Sequence, residues 1–271
     1  MTRPAARTRT RRQALNELLG LMGLLMGGGL LAAQGSQTLA ARPAGGAANP
    51  PAARPPRGPA PQAPRGLAGR DAIGTLDRNL ITAASAGDQV LVSRLLAAGA
   101  SARAADVQGR SALLAAVQNR RTEVARTLML AGADVNLKDA DANSPFLLAA
   151  ATGQADMVRL ALAHGADLAS TDRYHGTALI VASQQGHVEV VKLLLKAGIA
   201  VDHVNDLGWT ALLEAVILGD GSARYEDTVQ LLLDAGADAN LADREGVTPT
   251  RHARQRGYKT MVKMLMRVRG H

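Results

Sequence analysis

The 271-residue chain has no cysteine, which excludes disulfides, thiolate metal sites and a cysteine nucleophile and leaves stability to packing alone. Aromatic residues are nearly missing: one Trp, three Tyr and one Phe. A core must therefore be built from Ala, Leu and Val, and a nucleic-acid partner would find almost no stacking platform. Catalytic signatures are also lacking. There is no nucleophile elbow, phosphate loop or paired-acid motif, and His164, His175, His187, His203, His252 and His271 do not pair at metal-ligand spacing. Asp139-Ala-Asp141-Ala-Asn143 opens like a calcium loop, but the required Gly is Ser144 and the twelfth position is Ala150. The expectation is a non-enzymatic protein with no cofactor and no metal.

Net charge is +8, distributed unevenly: +4 over residues 1–40, +5 over 41–70, −8 over 71–243 and +7 over 244–269. The basic total thus belongs to the two ends rather than to a groove. The basic last stretch reads as a solvated face, with a grip on an acidic partner or phosphate-rich surface as the sharper alternative.

The N-terminal 40 residues read as an address. Arginines crowd the start, an apolar but glycine-broken stretch runs from Leu18 to Ala33, and small residues follow. Such an order describes an export signal, with cleavage expected after Ala40. The Arg11-Arg12 pair is similar to a twin-arginine signal. Residues 41–70, rich in Pro, Ala, Gly and Arg, cannot bury enough apolar surface to fold and read as a disordered linker. Residues 71–271 form the remaining domain. The expected location is the periplasm; inner-membrane anchoring by an uncleaved head is the alternative.

Within 71–271, Gly99, Gly132, Gly165 and Gly198 recur every 33 residues and Gly236 follows, each closing an ending like Leu-Leu-x-x-Gly. A fixed period of this length means one supersecondary unit, copied and stacked. Ser111, Ser144, Thr177, Thr210 and Thr248 stand where helix N-caps belong. A short helix with Ala on one side follows, and Gly153, Gly186 and Gly219 are expected to end it in a left-handed conformation. A second helix opens with an acid (Asp88, Glu123, Asp156, Glu189, Asp227), which suits the positive end of the helix dipole. Each unit is therefore helix, turn, helix and an extended turn.

This pattern resembles the ankyrin repeat over roughly residues 77–268. The resemblance implies an all-α solenoid of about six units including caps, with short β-turn tips and a degenerate last unit from Asp243. The family's Thr-Pro-Leu-His tetrad survives poorly: Pro appears only as Pro145 and Pro249, and the His is replaced by aliphatic residues and, in the last unit, by Arg251. Five extra residues fall in Gly219–Tyr225, since Ala182 to Leu193 is 11 positions but Ala215 to Leu231 is 16. They read as a tolerated surface loop, or as a partner-contacting loop anchored by Tyr225. His187 reads as a cap of its helix.

What the resemblance implies for function is a protein-binding scaffold whose turn tips and exposed first-helix positions line a concave face. By position these include Gln108, Arg110, Arg173, Tyr174, His175, Asp206, Leu207 and Trp209 at the tips, and Gln184 and Gln185 on a first helix. Trp209, Tyr174 and Arg173 are the residue types in which binding energy concentrates; the alternative for Trp209 is packing between adjacent turns. The chain is expected to be a monomer that binds a protein and no nucleic acid, meeting a membrane only through its signal. An envelope structural element or a secreted effector acting on a host protein are the other readings.

Overall fold

The structure, a computed structural model, describes residues 74–268. The signal, cleavage and linker expectations, on Arg11, Arg12, Ala40 and residues 41–70, lie outside the described residues. Among those described there are twelve helices and no strand: α1 (Thr75–Ala86), α2 (Gln89–Ala97), α3 (Ala112–Gln118), α4 (Thr122–Leu130), α5 (Pro145–Ala151), α6 (Ala155–Ala163), α7 (Ala178–Gln185), α8 (Val188–Lys196), α9 (Ala211–Leu218), α10 (Ala223–Asp234), α11 (Pro249–Gln255) and α12 (Lys259–Val268). They make six helix pairs. The last unit, expected to be degenerate, keeps both helices.

Helix starts follow the sequence. Ser111, Ser144, Thr210 and Thr248 accept hydrogen bonds from the backbone N–H three residues on, at 3.0, 3.2, 3.3 and 3.4 Å. Each such cap is worth about 1 kcal/mol. Thr177 corrects the expectation: it holds the cap position in extended backbone, but its buried Oγ1 has no partner among the described residues. Helix ends follow as well, for Gly99, Gly132, Gly165, Gly198 and Gly236 all take φ between 81° and 96°. In that region any other residue would be strained.

First helices stack on first helices, and second helices on second helices, along the solenoid. Two registers build the shared core. Leu113, Phe146, Leu179 and Leu212, two residues past each cap, are at most 1% exposed, and Ala116, Ala149, Ala182, Ala215 and Ala253, five past it, are equally covered. The large side chains supply the apolar area, roughly 1.5–3 kcal/mol each. The alanines let neighbouring backbones approach.

A ladder of side-chain bonds also ties units together. At the entrance of each second helix a side chain reaches back to a carbonyl at the end of the preceding unit's first helix. Gln154 Nε2 donates to Val117 O at 2.9 Å, His187 Nε2 to Ala151 O at 3.2 Å, Tyr225 OH to Gln184 O at 3.1 Å and Tyr258 OH to Gly219 O at 2.8 Å. Carbonyls in the last turn of a helix lack the N–H that would follow in a continuing helix. His187 therefore bridges units rather than capping its own helix, where it makes no side-chain cap bond.

The five extra residues are not a loose loop. They lengthen α10 to 12 residues where α8 has 9, starting it at Ala223, and the rest form a tight turn. Asp227 consequently lies beyond the first turn, whose acid is Glu226. Gly219 is extended (φ −64°, ψ 158°) and not left-handed; Gly221, at φ 77°, takes that role. Glycine is required at 219 for another reason: a Cβ there would lie 2.8 Å from the Tyr225 ring. Tyr225 is only 5% exposed, so it anchors the solenoid and is not offered to a partner.

Candidate functional site

Between units the chain makes a tip that the sequence pattern did not resolve. Five residues before each cap stands an Asp or Asn: Asp106, Asp139, Asp172, Asn205 and Asp243. In every tip its Oδ1 accepts from the backbone N–H groups two and four residues on, at 2.8–3.1 Å. Its own N–H donates to the carbonyl four residues on. Side chain and backbone thus close each tip into a small rigid loop. The signal was available, since the first four of these residues are themselves 33 apart.

The fourth residue of each loop must adopt positive φ. Gly109, Gly208 and Gly246 do so without strain at 73–79°, but Ala142 (62°) and His175 (57°) occupy the same place in the second and third tips. An L-residue there costs roughly 1–2 kcal/mol. Adjacent tips also hold one another: Ala140 N–H donates to Gln108 O at 2.8 Å and Asp206 N–H to Tyr174 O at 3.0 Å.

The candidate residues divide on this frame. His175 Nδ1 lies 3.0 Å from Asp206 Oδ2, with both side chains more than half exposed, and the His175 carbonyl accepts from His203 Nε2 at 2.8 Å. Arg173 lies 3.5 Å from Asp141 Oδ1 and 5.8 Å from the Tyr174 ring centroid. Tyr174 and Leu207 are half-buried. Arg173, Tyr174, His175, Asp206 and Leu207 are therefore brought together on two neighbouring tips. Gln108 and Arg110, both exposed, sit two tips away, where Arg110 pairs with Asp106 at 2.8 Å. Gln184 and Gln185 are half-buried at the far end of α7, roughly 12 Å from its tip end at 1.5 Å per residue. The structure does not gather them with the tips.

Trp209 is different. It is 6% exposed, and its backbone N–H donates to Asn205 Oδ1 at 3.0 Å. The position that is exposed as Arg110 in another tip is covered here. It cannot serve as a presented anchor without the tip opening.

Beneath this tip lies a residue the sequence reading missed. Glu214, on α9, is 2% exposed; its Oε1 accepts from Asn205 Nδ2 at 2.9 Å, and its Oε2 has no partner among the described residues. Burial pushes its carboxyl up to about 8, with the Asn205 bond opposing and the nearby Asp172 charge adding to the rise. Glu214 is therefore mostly protonated at neutral pH. Asp172 is itself raised by burial, against the hydrogen bonds from Gly176 and Tyr174. One unit on, the same register holds a buried pair, His252 Nε2 at 2.7 Å from Asp243 Oδ2. Burial of Asp243 is outweighed there by bonds from Val247 and His252, and its carboxyl is held below the usual range. The available clue was register: Ala115, Leu148 and Val181 occupy the place of Glu214 in earlier units.

Among the described residues no group of His, Asp or Glu is arranged to hold a metal ion, and no helix is long and apolar enough to cross a membrane. What the tips offer is a preorganised row of mixed charge and half-buried aromatic surface.

Comparison with known proteins gives the same architecture. A family model for ankyrin repeats (3 copies) matches residues 73–139, 129–205 and 146–243. A solved ankyrin repeat domain from Acinetobacter baumannii AYE is 49% identical, with 70% of this chain and 97% of that one covered and a TM-score of 0.69. The solved ankyrin repeat protein EF0377 is 39% identical, over 69% of this chain and 96% of its own, with a TM-score of 0.67. The ankyrin repeat protein YahD of Escherichia coli K12 is 44% identical over 68 residues, 25% of this chain, which spans only 34% of that curated relative.

Proposed function

This chain belongs to the ankyrin-repeat family, and from that premise we propose that it is a non-catalytic scaffold that captures another protein on its central turn tips. Ankyrin repeats are in general protein-interaction modules and in general not enzymes. The observation that carries the reading is the pair of locked tips bearing Arg173, Tyr174, His175, Asp206 and Leu207, one of them holding His175 in a left-handed conformation. Strain of that kind is retained where geometry matters more than stability. The loops lose little freedom on binding, so more of the contact energy appears as affinity. Tyr174 and Arg173 are the anchors in this reading.

The test is affinity capture with the full chain and with Arg173→Ala/Tyr174→Ala. The double variant should lose its specific partner while melting at the same temperature, and undiminished capture contradicts the proposal. The same reading places the protein in the periplasm, supported by the basic head, the apolar stretch 18–33, the Arg11-Arg12 pair and Ala40. Intact mass of the recovered protein checks it. A mass matching residues 41–271 is expected, and a full-length mass in the membrane fraction favours the anchored alternative.

A further inference from the structure

The last unit breaks the charge pattern of the others. Three and six residues past the cap, earlier first helices bury Leu114 and Val117, Leu147 and Ala150, Ile180 and Ser183, and Leu213 and Val216. These registers face the next unit. In α11 they hold Arg251 and Arg254, both exposed, on the outer face of the last described unit. A polar surface suits the end of a solenoid, but it does not require one sign of charge.

The sign runs against local preference. Lys259 opens α12, whereas α4, α6 and α8 carry Glu123, Asp156 and Glu189 in their first turns. A cation at that end opposes the helix dipole by roughly 0.3–1 kcal/mol. Lys263 and Arg267 continue the exposed basic face of α12, and Arg244 and Arg256 extend it. Glu245 is the only acid between 244 and 268, leaving +6 there against −8 for 71–243. Elsewhere four arginines are answered by an acid within one turn: Arg110 by Asp106, Arg126 by Glu123, Arg159 by Asp156 and Arg224 by Asp220. Among the described residues none of the seven cations of the last unit pairs with a carboxylate, and Arg254 instead donates to Met266 Sδ at 3.2 Å.

We propose that this end face is a second docking surface, distinct from the central tips, for a carboxylate-rich polypeptide segment. Guanidinium groups match carboxylates in bidentate geometry, and charge set against the interest of its own helix points to a complement outside the chain. Residues 1–70 carry +9 and cannot be that complement. A nucleic acid would need exposed rings for stacking, whereas Tyr258 is half-buried with its OH bonded to Gly219 O. A helix lying in a lipid interface inserts its apolar stripe, but α12 buries Met261 and Leu265 inside the solenoid and leaves only Met266 and Val268 exposed among its large apolar side chains.

Fluorescence anisotropy of a labelled oligoglutamate peptide titrated with the full chain tests the proposal. Arg251→Glu/Arg254→Glu should weaken binding roughly tenfold or more through like-charge contact, and Arg251→Gln/Arg254→Gln by less, both with unchanged circular dichroism. Arg54→Glu/Arg57→Glu, in the upstream basic stretch, should leave affinity unchanged. Equal binding by the Arg251/Arg254 variants, or loss dominated by Arg54/Arg57, overturns the proposal. So does preference for phosphatidylglycerol vesicles or a single-stranded oligonucleotide over oligoglutamate, because the partner would then be phosphate-bearing.

Discussion

Replacing Glu214 by Gln should remove a pH dependence that the wild-type solenoid carries. The carboxyl titrates near its ordinary value of 4.5 when unfolded and at about 8 in the buried site. The native state therefore binds the proton more tightly than the unfolded state. Its contribution is fully present below 4.5 and is lost as pH rises toward 8, where the charge must be carried without water. A difference of about 3.5 units at roughly 1.36 kcal/mol each sets a ceiling on the order of 4–5 kcal/mol. Asp172, also raised, acts in the same direction; His187, lowered by burial, adds stability as pH rises toward its ordinary 6.5 and acts in the opposite one. Comparison with the variant isolates the Glu214 share. Gln keeps an oxygen to accept from Asn205, and Leu148 at the equivalent place shows that an uncharged side chain is accommodated. Urea unfolding, followed by circular dichroism and by emission of the single Trp209, should be measured at intervals from pH 5 to pH 8. Wild type should lose several kcal/mol relative to Glu214→Gln across that range. Parallel curves for the two proteins refute the burial argument.

Other perturbations follow from the same frame. Trp209→Ala should lower stability by about 3–5 kcal/mol, because the indole is 6% exposed, and a thermal melt unchanged from wild type contradicts this. Ala142→Gly should raise the melting temperature slightly: relief of roughly 1–2 kcal/mol of left-handed strain exceeds the added entropy of the unfolded chain, about 0.4–1 kcal/mol. A lower melting temperature would show that the tip does not hold this residue under strain. Tyr258→Phe deletes the bond to Gly219 O and should cost about 1 kcal/mol in chemical denaturation, with faster amide exchange in the turn before α10.

Much of the architecture could be read from single residues whose backbone needs are local. The glycines after each second helix and the hydroxyls before each first helix state their φ requirement or capping role without reference to neighbours. Thr177 shows the limit, since its position was legible but its missing hydrogen bond was not. The insertion was misread because a loop and a helix extension contain the same number of residues; the packing of Tyr225 against Gly219 decides between them. Side-chain exposure at the tips was the least legible property. The position just before the cap is an exposed Arg110 in one unit and a covered Trp209 in another, and only the stacking of neighbours decides which. Nothing local to Glu214 marks it as buried; only its register beside Ala115, Leu148 and Val181 does.

The central claim is that the two locked tips, and not the second-helix side, meet the partner. Photo-crosslinking in intact cells tests it, with a benzophenone side chain at Tyr174, at Leu207 or at Leu130, an exposed residue of α4. Discrete adducts of one common mass from 174 and 207, with none from 130, are the expected result. Adducts from 130 alone would contradict the account.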